Sequence, residues 1–256
     1  MKKITKLSDK QLERYSRQII LEKIATKGQI KIMNSKILIL GCGGLGTTAA
    51  TYLAMAGVNR IGILDFDNVS LSNLNRQILF YENDIGKKKV DVLSSKLKNI
   101  NSKINVEVFP IKLNSKNYKK FIKNYDYLLD CTDNFKSRYL INDICVENKK
   151  ILVSAALYNF EIQVFSFKAW SKKKFPCYRC IFPFSEKNLK GINCNEMGIL
   201  SSVAGIGGTL QANTVLNIIL DESDYYFENF VIYNTEKNTS TNITIEKDIK
   251  CSVCKI

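Results

Sequence analysis

Ile37-Leu38-Ile39-Leu40-Gly41-Cys42-Gly43-Gly44-Leu45-Gly46 decides the fold. Four consecutive branched apolar residues predict a short strand buried on both faces. Gly41, Gly43 and Gly46 fit G-x-G-x-x-G, and a helix of small residues follows through Ala56, stopped by Gly57. Arg60-Ile61-Gly62-Ile63-Leu64 is a second strand, ending at Asp65. Strand, Gly-rich turn, helix and strand within about 30 residues form a βαβ unit. The missing side chains let backbone N–H groups approach a phosphate at the helix N-terminus. Asp65, 19 residues past Gly46, can accept hydrogen bonds from ribose hydroxyls.

Outward from this unit, residues 8–30 predict one helix, opened by Ser8-Asp9 and ending near Gly28. A helix near 87–99, a strand at 104–108, a strand at Tyr127-Leu128-Leu129, a helix from Asn134 to about Glu147 and a strand at Ile151–Ser154 follow. The alternation predicts an α/β fold, Rossmann-like, with a mostly parallel sheet and helices on both faces. Beyond Ser154, residues 161–169 and 229–245 alternate like antiparallel strands, flanking a loop at 171–198 and an apolar helix. No linker and no repeat interrupts the chain. One domain over 1–256 is expected: an N-terminal helix about 8–30, a nucleotide-binding half about 31–154, and a second half about 155–256.

The chain has 256 residues, 45% hydrophobic and 24% charged, the composition of a globular protein. It contains no His, which excludes imidazole general-base chemistry, a His-bearing zinc site and any Ser-His-Asp or Cys-His pair. The net charge of +14 comes mostly from Lys spread along the whole chain; it reads as compositional bias, and no nucleic-acid partner is expected. Arg is scarce: Arg14, Arg17, Arg60, Arg76, Arg138 and Arg179 are all of them. Such positions can need a planar fork rather than a bare charge. The N-terminus lacks a signal-like apolar core, so the cytoplasm is the expected compartment. Met197 to Leu220 carries no charge but holds Ser, Thr, Gln and Asn; a buried helix is expected there, not a membrane span.

Two groups of residues suggest chemistry. The stretch from Asp65 to Gln77 (DFDNVSLSNLNRQ) is polar and irregular, and Arg76 and Lys89 can converge on one anion. A triphosphate calls for such cations or for Mg²⁺. Asp130-Cys131-Thr132-Asp133-Asn134 ends a parallel strand where these folds bind ligands, and a carboxylate there suits Mg²⁺. Cys177-Tyr178-Arg179-Cys180 and Cys251-Ser252-Val253-Cys254 are two C-x-x-C pairs, 71 residues apart from Cys180 to Cys251. Together they fit a closed, structural Cys₄ zinc site; a redox pair is the alternative. Of the other cysteines, Cys42, Cys131 and Cys145 read as small packed residues. Cys194, in a polar segment before the apolar helix, is either a nucleophile or an inert loop thiol.

As an ordered set, these residues resemble the E1-like adenylyltransferases of the ThiF/MoeB/HesA family. The set comprises Glu13-Arg14-Tyr15-Ser16-Arg17-Gln18-Ile19, GCGGLG, DFDNVSLSNLNRQ, Gly86 to Lys89, DCTDN, PCYRC, the Cys194 segment, GIGGTLQA and the terminal CSVC. The resemblance implies a homodimeric enzyme that adenylates the C-terminal Gly-Gly of a ubiquitin-like sulfur carrier, MoaD-like or ThiS-like, for molybdopterin or thiamine biosynthesis. It implies ATP and Mg²⁺ at Gly41, Gly43, Gly44, Gly46, Asp65, Asp67, Ser72, Asn73, Leu74, Asn75, Arg76, Gln77, Lys89, Asp133 and Asn134, with Asp133 on the magnesium. Arg14 would reach the partner subunit's phosphates, and Arg76, Lys89, Asp133 and Cys194 would act with it in catalysis. Cys177, Cys180, Cys251 and Cys254 would hold zinc, and residues 155–256 would carry the carrier surface. Ile162-Gln163, Ser201-Ser202 and Asn213-Thr214 depart from the family pattern, on the carrier side rather than at the nucleotide. No rhodanese-like segment follows Cys254, so sulfur is expected from another protein, such as a cysteine desulfurase or rhodanese. A nicotinamide-dependent oxidoreductase and an inactive E1-like binding protein are the alternatives.

Overall fold

The computed structural model describes residues 3–171, 175–183 and 198–255. The N-terminal segment departs from the expected single helix. It forms α1 (Asp9–Arg14), α2 (Ser16–Ile19) and α3 (Ala25–Asn34). Ser8 opens α1 as expected, its backbone N–H donating to Gln11 Oε1 at 2.9 Å. The first break falls at Tyr15, whose backbone leaves the helical region (φ −101°, ψ 12°). Its side chain is buried and its hydroxyl accepts from Asn101 Nδ2 at 3.1 Å. Burying that ring outweighs one more turn of an isolated helix. Gly28 does not end a helix; it lies inside α3, where a Cβ would come within 2.8 Å of Leu220 Cδ2. The glycine serves close packing against Leu220, not termination.

The chain then alternates as the sequence predicts: β1 (Lys36–Leu40), α4 (Gly44–Ala56), β2 (Arg60–Leu64), α5 (Lys89–Ile100), β3 (Asn105–Phe109), β4 (Tyr127–Asp130), α6 (Phe135–Glu147) and β5 (Ile151–Tyr158). These five strands are parallel, in the order β3-β2-β1-β4-β5. Ile37 to Leu40 are fully buried. Ile37 and Ile39 pack with residues of α4 and α5, while Leu38 and Leu40 pack with residues of α6 on the other face. Covering both faces explains the unbroken apolar run, each such side chain contributing roughly 1.5–3 kcal/mol.

Strand β5 runs four residues past the expected Ser154 because β6 (Glu161–Phe167) pairs with it antiparallel from Leu152 to Tyr158. The alternating stretch 229–245 resolves into a hairpin, β7 (Asn229–Asn234) and β8 (Thr239–Thr244), which extends the same sheet. Within the expected loop 171–198 lies a one-turn helix, α7 (Tyr178–Ile181). Helix α8 (Ser201–Leu220) is followed by a short α9 (Tyr225–Glu228). By length and composition α8 could cross a membrane, yet it lies against α4, β5 and β6 with nine residues buried. Gln211, fully buried in α8, donates to Asp130 O and Val153 O, both at 2.9 Å. This polar anchor stitches the helix to the end of β4 and to β5 beside it, in keeping with the buried helix expected there.

Candidate active site

Strand order reverses between β1 and β4, and a crevice opens there at the carboxyl ends of the strands. A cavity of about 900 Å³ occupies it. Gly41 adopts a positive φ of 100°, and a Cβ there would sit 2.8 Å from Cys131 O. A Cβ on Gly46 would collide with the Gly41 carbonyl oxygen. The turn therefore closes tightly against the β4 loop only with these glycines. Gly41, Gly43 and Gly44 line the cavity, whereas Gly46 is packed beneath the turn. Asp65 is fixed from two sides: Cys42 N–H donates to Oδ2 at 2.7 Å and Asp67 N–H to Oδ1 at 2.9 Å.

The polar stretch after β2 folds over the same cavity. Ser72, Asn73, Asn75, Arg76 and Gln77 line it, while Leu74 turns toward the apolar core. Arg76 Nη1 donates to Ser72 O and Asn75 Oδ1, both at 3.0 Å. Gln77 is 3% exposed, and its Oε1 has no hydrogen-bond partner among the described residues. A buried acceptor left so costs about 1–3 kcal/mol until a donor arrives. Lys89, buried at the first position of α5, has Nζ 3.2 Å from Asp67 Oδ2. The helix dipole opposes a cation at that end, and an anionic ligand relieves both. Asp133 also lines the cavity and is exposed, its Oδ1 accepting from Asn134 Nδ2 at 3.1 Å. Asn134 Oδ1 caps α6 by accepting from Ser137 N–H at 2.9 Å. Arg76 and Lys89 lining one crevice with the carboxylates of Asp65, Asp67 and Asp133 suit a polyphosphate and a divalent cation.

The four sulfurs of Cys177, Cys180, Cys251 and Cys254 lie within 4.8 Å of one another and could hold a metal ion. The Cys177–Cys251, Cys180–Cys254 and Cys177–Cys180 separations are 3.6, 3.4 and 3.9 Å. A tetrahedral ion with metal–sulfur bonds of about 2.3 Å has sulfur–sulfur edges of roughly 3.8 Å. The Cys180 thiol is pushed well down by hydrogen bonds from Cys177 and Cys254. Cys42, Cys131 and Cys145 are packed residues whose thiols burial pushes well up.

The profile of the ThiF family matches residues 15–253. The chain belongs to the ThiF family. Its relatives include proteins named adenylyltransferase and sulfurtransferase MOCS3. The one from Aedes aegypti is 41% identical over 254 residues, covering 98% of this chain and 57% of its own length. The one from Xenopus laevis is 38% identical over 249 residues, covering 97% and 54%. The chain thus spans little more than half the length of these relatives. Among solved structures, Escherichia coli MccB with MccA-N7isoASN superposes with a TM-score of 0.83 at 24% identity, covering 98% of this chain and 76% of that one. That likeness is one of fold. MccB with AMPCPP and MccA gives 0.79 at 26% identity, covering 95% and 74%.

This ThiF-family cavity also contains residues the sequence reading missed. Arg138, 5% exposed, lines it and donates from Nη2 to Thr132 O at 2.7 Å. The scarcity of Arg was the one signal for it. Lys112 Nζ stands 5.1 Å from the Phe66 ring centroid, and Lys112, Leu113 and Leu140 also line the cavity. No motif marks these, since they come from separate elements. Arg14 is absent from its own chain's cavity: at the end of α1 it donates to Ile100 O at 2.6 Å. Cys194 lies outside the described residues, but Gly198 and Ile199, just beyond it, line the cavity.

Proposed function

We propose that this ThiF-family chain uses ATP to adenylate the C-terminal glycine of a ubiquitin-like sulfur carrier, MoaD-like or ThiS-like, readying it for thiocarboxylate formation in molybdopterin or thiamine biosynthesis. One observation carries the reading: Asp65, Arg76, Lys89 and Asp133 converge on a single cavity beside the Gly-rich turn. The activity for which the MOCS3 relatives are named supports it.

The carrier's terminal carboxylate is already ionised at neutral pH, its pKa being about 3.5. No general base is needed, which agrees with a chain free of His. A carboxylate oxygen attacks the α-phosphorus of ATP, and pyrophosphate departs with the electron pair of the broken P–O bond. Asp65 holds the ribose, the turn amides and the side-chain N–H groups of Gln77 orient the phosphates, and Arg76 and Lys89 stabilise charge on the leaving pyrophosphate. Asp133 would hold Mg²⁺, which when bound neutralises phosphate charge. The four cysteines would hold zinc, a closed site with no open position and hence structural.

The proposed partners are the Gly-Gly-ended carrier, a sulfur donor such as a cysteine desulfurase or rhodanese, and a second copy of the chain, in the cytoplasm. Exposed apolar residues on the outer face of α4 (Tyr52, Met55), after α2 (Ile20, Leu21) and before Arg76 (Leu71) would suit the second copy. The test is ATP–pyrophosphate exchange with and without a Gly-Gly-ended carrier. Carrier-dependent exchange is expected; its absence, or a nicotinamide absorbance change instead, overturns the reading.

Two further results are expected. Arg14→Ala and Arg76→Ala chains should each be inactive, but co-expression should restore about a quarter of wild-type exchange. A mixed dimer then contains one intact site, with Arg14 from one subunit and Arg76 from the other. No recovery on mixing would mean that Arg14 acts within its own chain or not at all. Cys194→Ala should leave exchange unchanged, because adenylation needs no thiol. If Cys194 is a nucleophile, intact-mass analysis during turnover detects a thiol-sensitive enzyme–carrier adduct that the variant lacks. Full thiocarboxylate yield from the variant, with no wild-type adduct, removes Cys194 from the chemistry.

A further inference from the structure

Asp130 is the last residue of β4 and is 1% exposed. It does not line the cavity, although residues 131–134 do. A buried carboxylate is tolerated only when its lone pairs are filled. Here one residue fills most of them. Oδ1 accepts from the Thr132 backbone N–H at 3.0 Å and from the Thr132 hydroxyl at 2.7 Å. Oδ2 accepts from Ser154 Oγ at 2.8 Å. Ser154 is fully buried on the neighbouring strand β5.

From the other side Arg138 donates to Thr132 O at 2.7 Å. Thr132 is therefore gripped at its N–H, its hydroxyl and its carbonyl, between a buried carboxylate and a buried guanidinium. The strand behind is pinned as well, since Gln211 holds Asp130 O. Asp133 follows directly, with its carboxylate exposed. The next residue, Asn134, is fixed in turn as the cap of α6. The loop is locked on both sides of the one carboxylate that stays exposed.

We propose that Asp130 and Ser154 are positioning residues that act through Thr132 to preorganise the Asp133 carboxylate for the divalent cation of a bound nucleoside triphosphate. The inference rests on the nucleotide reading above. It accounts for a carboxyl group where an amide would fill the same space: both oxygens of Asp130 accept, from Thr132 and from Ser154, whereas an amide would turn its NH₂ toward one of those donors. A carboxylate on an unanchored loop would have to be ordered at the moment of binding, whereas this one is ordered by folding.

The test measures ATP affinity by calorimetry, once in Mg²⁺ and once in EDTA, for the full chain and for Ser154→Ala, Asp130→Asn and Asp133→Asn. Ser154→Ala is expected to weaken binding in Mg²⁺ about tenfold, the lower end for partners behind a metal ligand, and to change binding in EDTA by less than about twofold. Asp130→Asn should act in the same sense and more strongly; if it does not fold, Ser154→Ala decides alone. In an Asp133→Asn background, Ser154→Ala should add no further loss in Mg²⁺, because both act through one carboxylate. Equal losses in Mg²⁺ and EDTA, or additive losses with Asp133→Asn, would reduce Asp130 and Ser154 to supports of the fold and overturn the proposal. A wild-type chain that binds ATP in neither medium overturns the nucleotide reading and this proposal with it.

Discussion

Arg76→Ala is expected to abolish carrier-dependent ATP–pyrophosphate exchange while leaving the protein folded. The fold is spared because the side chain is only half-buried and its hydrogen bonds reach no further than Ser72 and Asn75, within its own loop. The chemistry is not spared. Charge builds on the departing pyrophosphate as the P–O bond breaks, so a donor at Arg76 is engaged most strongly in the transition state. Removing one such donor costs about 3 kcal/mol, or about 100-fold or more in rate. Arg76→Lys should recover only part of the activity, because an ammonium keeps the charge and loses the planar fork. Exchange by Arg76→Ala within about threefold of wild type would take Arg76 out of the reaction.

Cys254→Ser should strip the protein of its metal and lower its Tm by roughly 10 °C. Purified wild type should contain one zinc per chain and the variant none. The four sulfurs close a loop whose ends, Cys180 and Cys251, are 71 positions apart. A cross-link of that length removes roughly 4 kcal/mol of chain entropy from the unfolded state. The loss should reach the nucleotide. Between the first two cysteines, Arg179 makes a bidentate pair with Asp143 on α6 at 2.7 and 2.6 Å. Tyr178 N–H donates to Asn142 Oδ1 on the same helix at 2.8 Å. Since α6 also carries Ser137, Arg138 and Ile141 into the cavity, ATP binding should weaken along with thermal stability. Zinc-free wild type with four freely titratable thiols would refute the metal assignment.

The parts of the molecule legible in the sequence are those that local chemistry dictates. A strand buried on both faces must read as Ile37-Leu38-Ile39-Leu40, a turn against a neighbouring loop must contain Gly41, and β2 must end at an acid for Asp65 to lie beside that turn. What sequence could not show depends on partners distant along the chain. Tyr15 breaks a helix only because Asn101 waits to receive it, 86 residues away. Residues beyond Ser154 remain in a strand only because β6 returns to pair with them. Spacing identifies each C-x-x-C as a chelating half, but the approach of the halves to 3.4 and 3.6 Å depends on the fold between them. Arg138 stands in the first turn of α6, just past the 130–134 stretch, and only the fold aims it back at Thr132.

The eight strands share one continuous ladder, but not one environment. Ile37 to Leu40 in β1 are sealed from water, whereas every residue of β8 is exposed. Hydrogen bonding without common burial gives the sheet a gradient of local unfolding. Opening β1 requires the whole protein to come apart; opening β8 forfeits little more than its own pairing with β7. That outer edge is therefore where the sheet opens at the least cost. The molecule thus joins a rigid floor under the nucleotide cavity to a yielding margin at the far end of the same sheet.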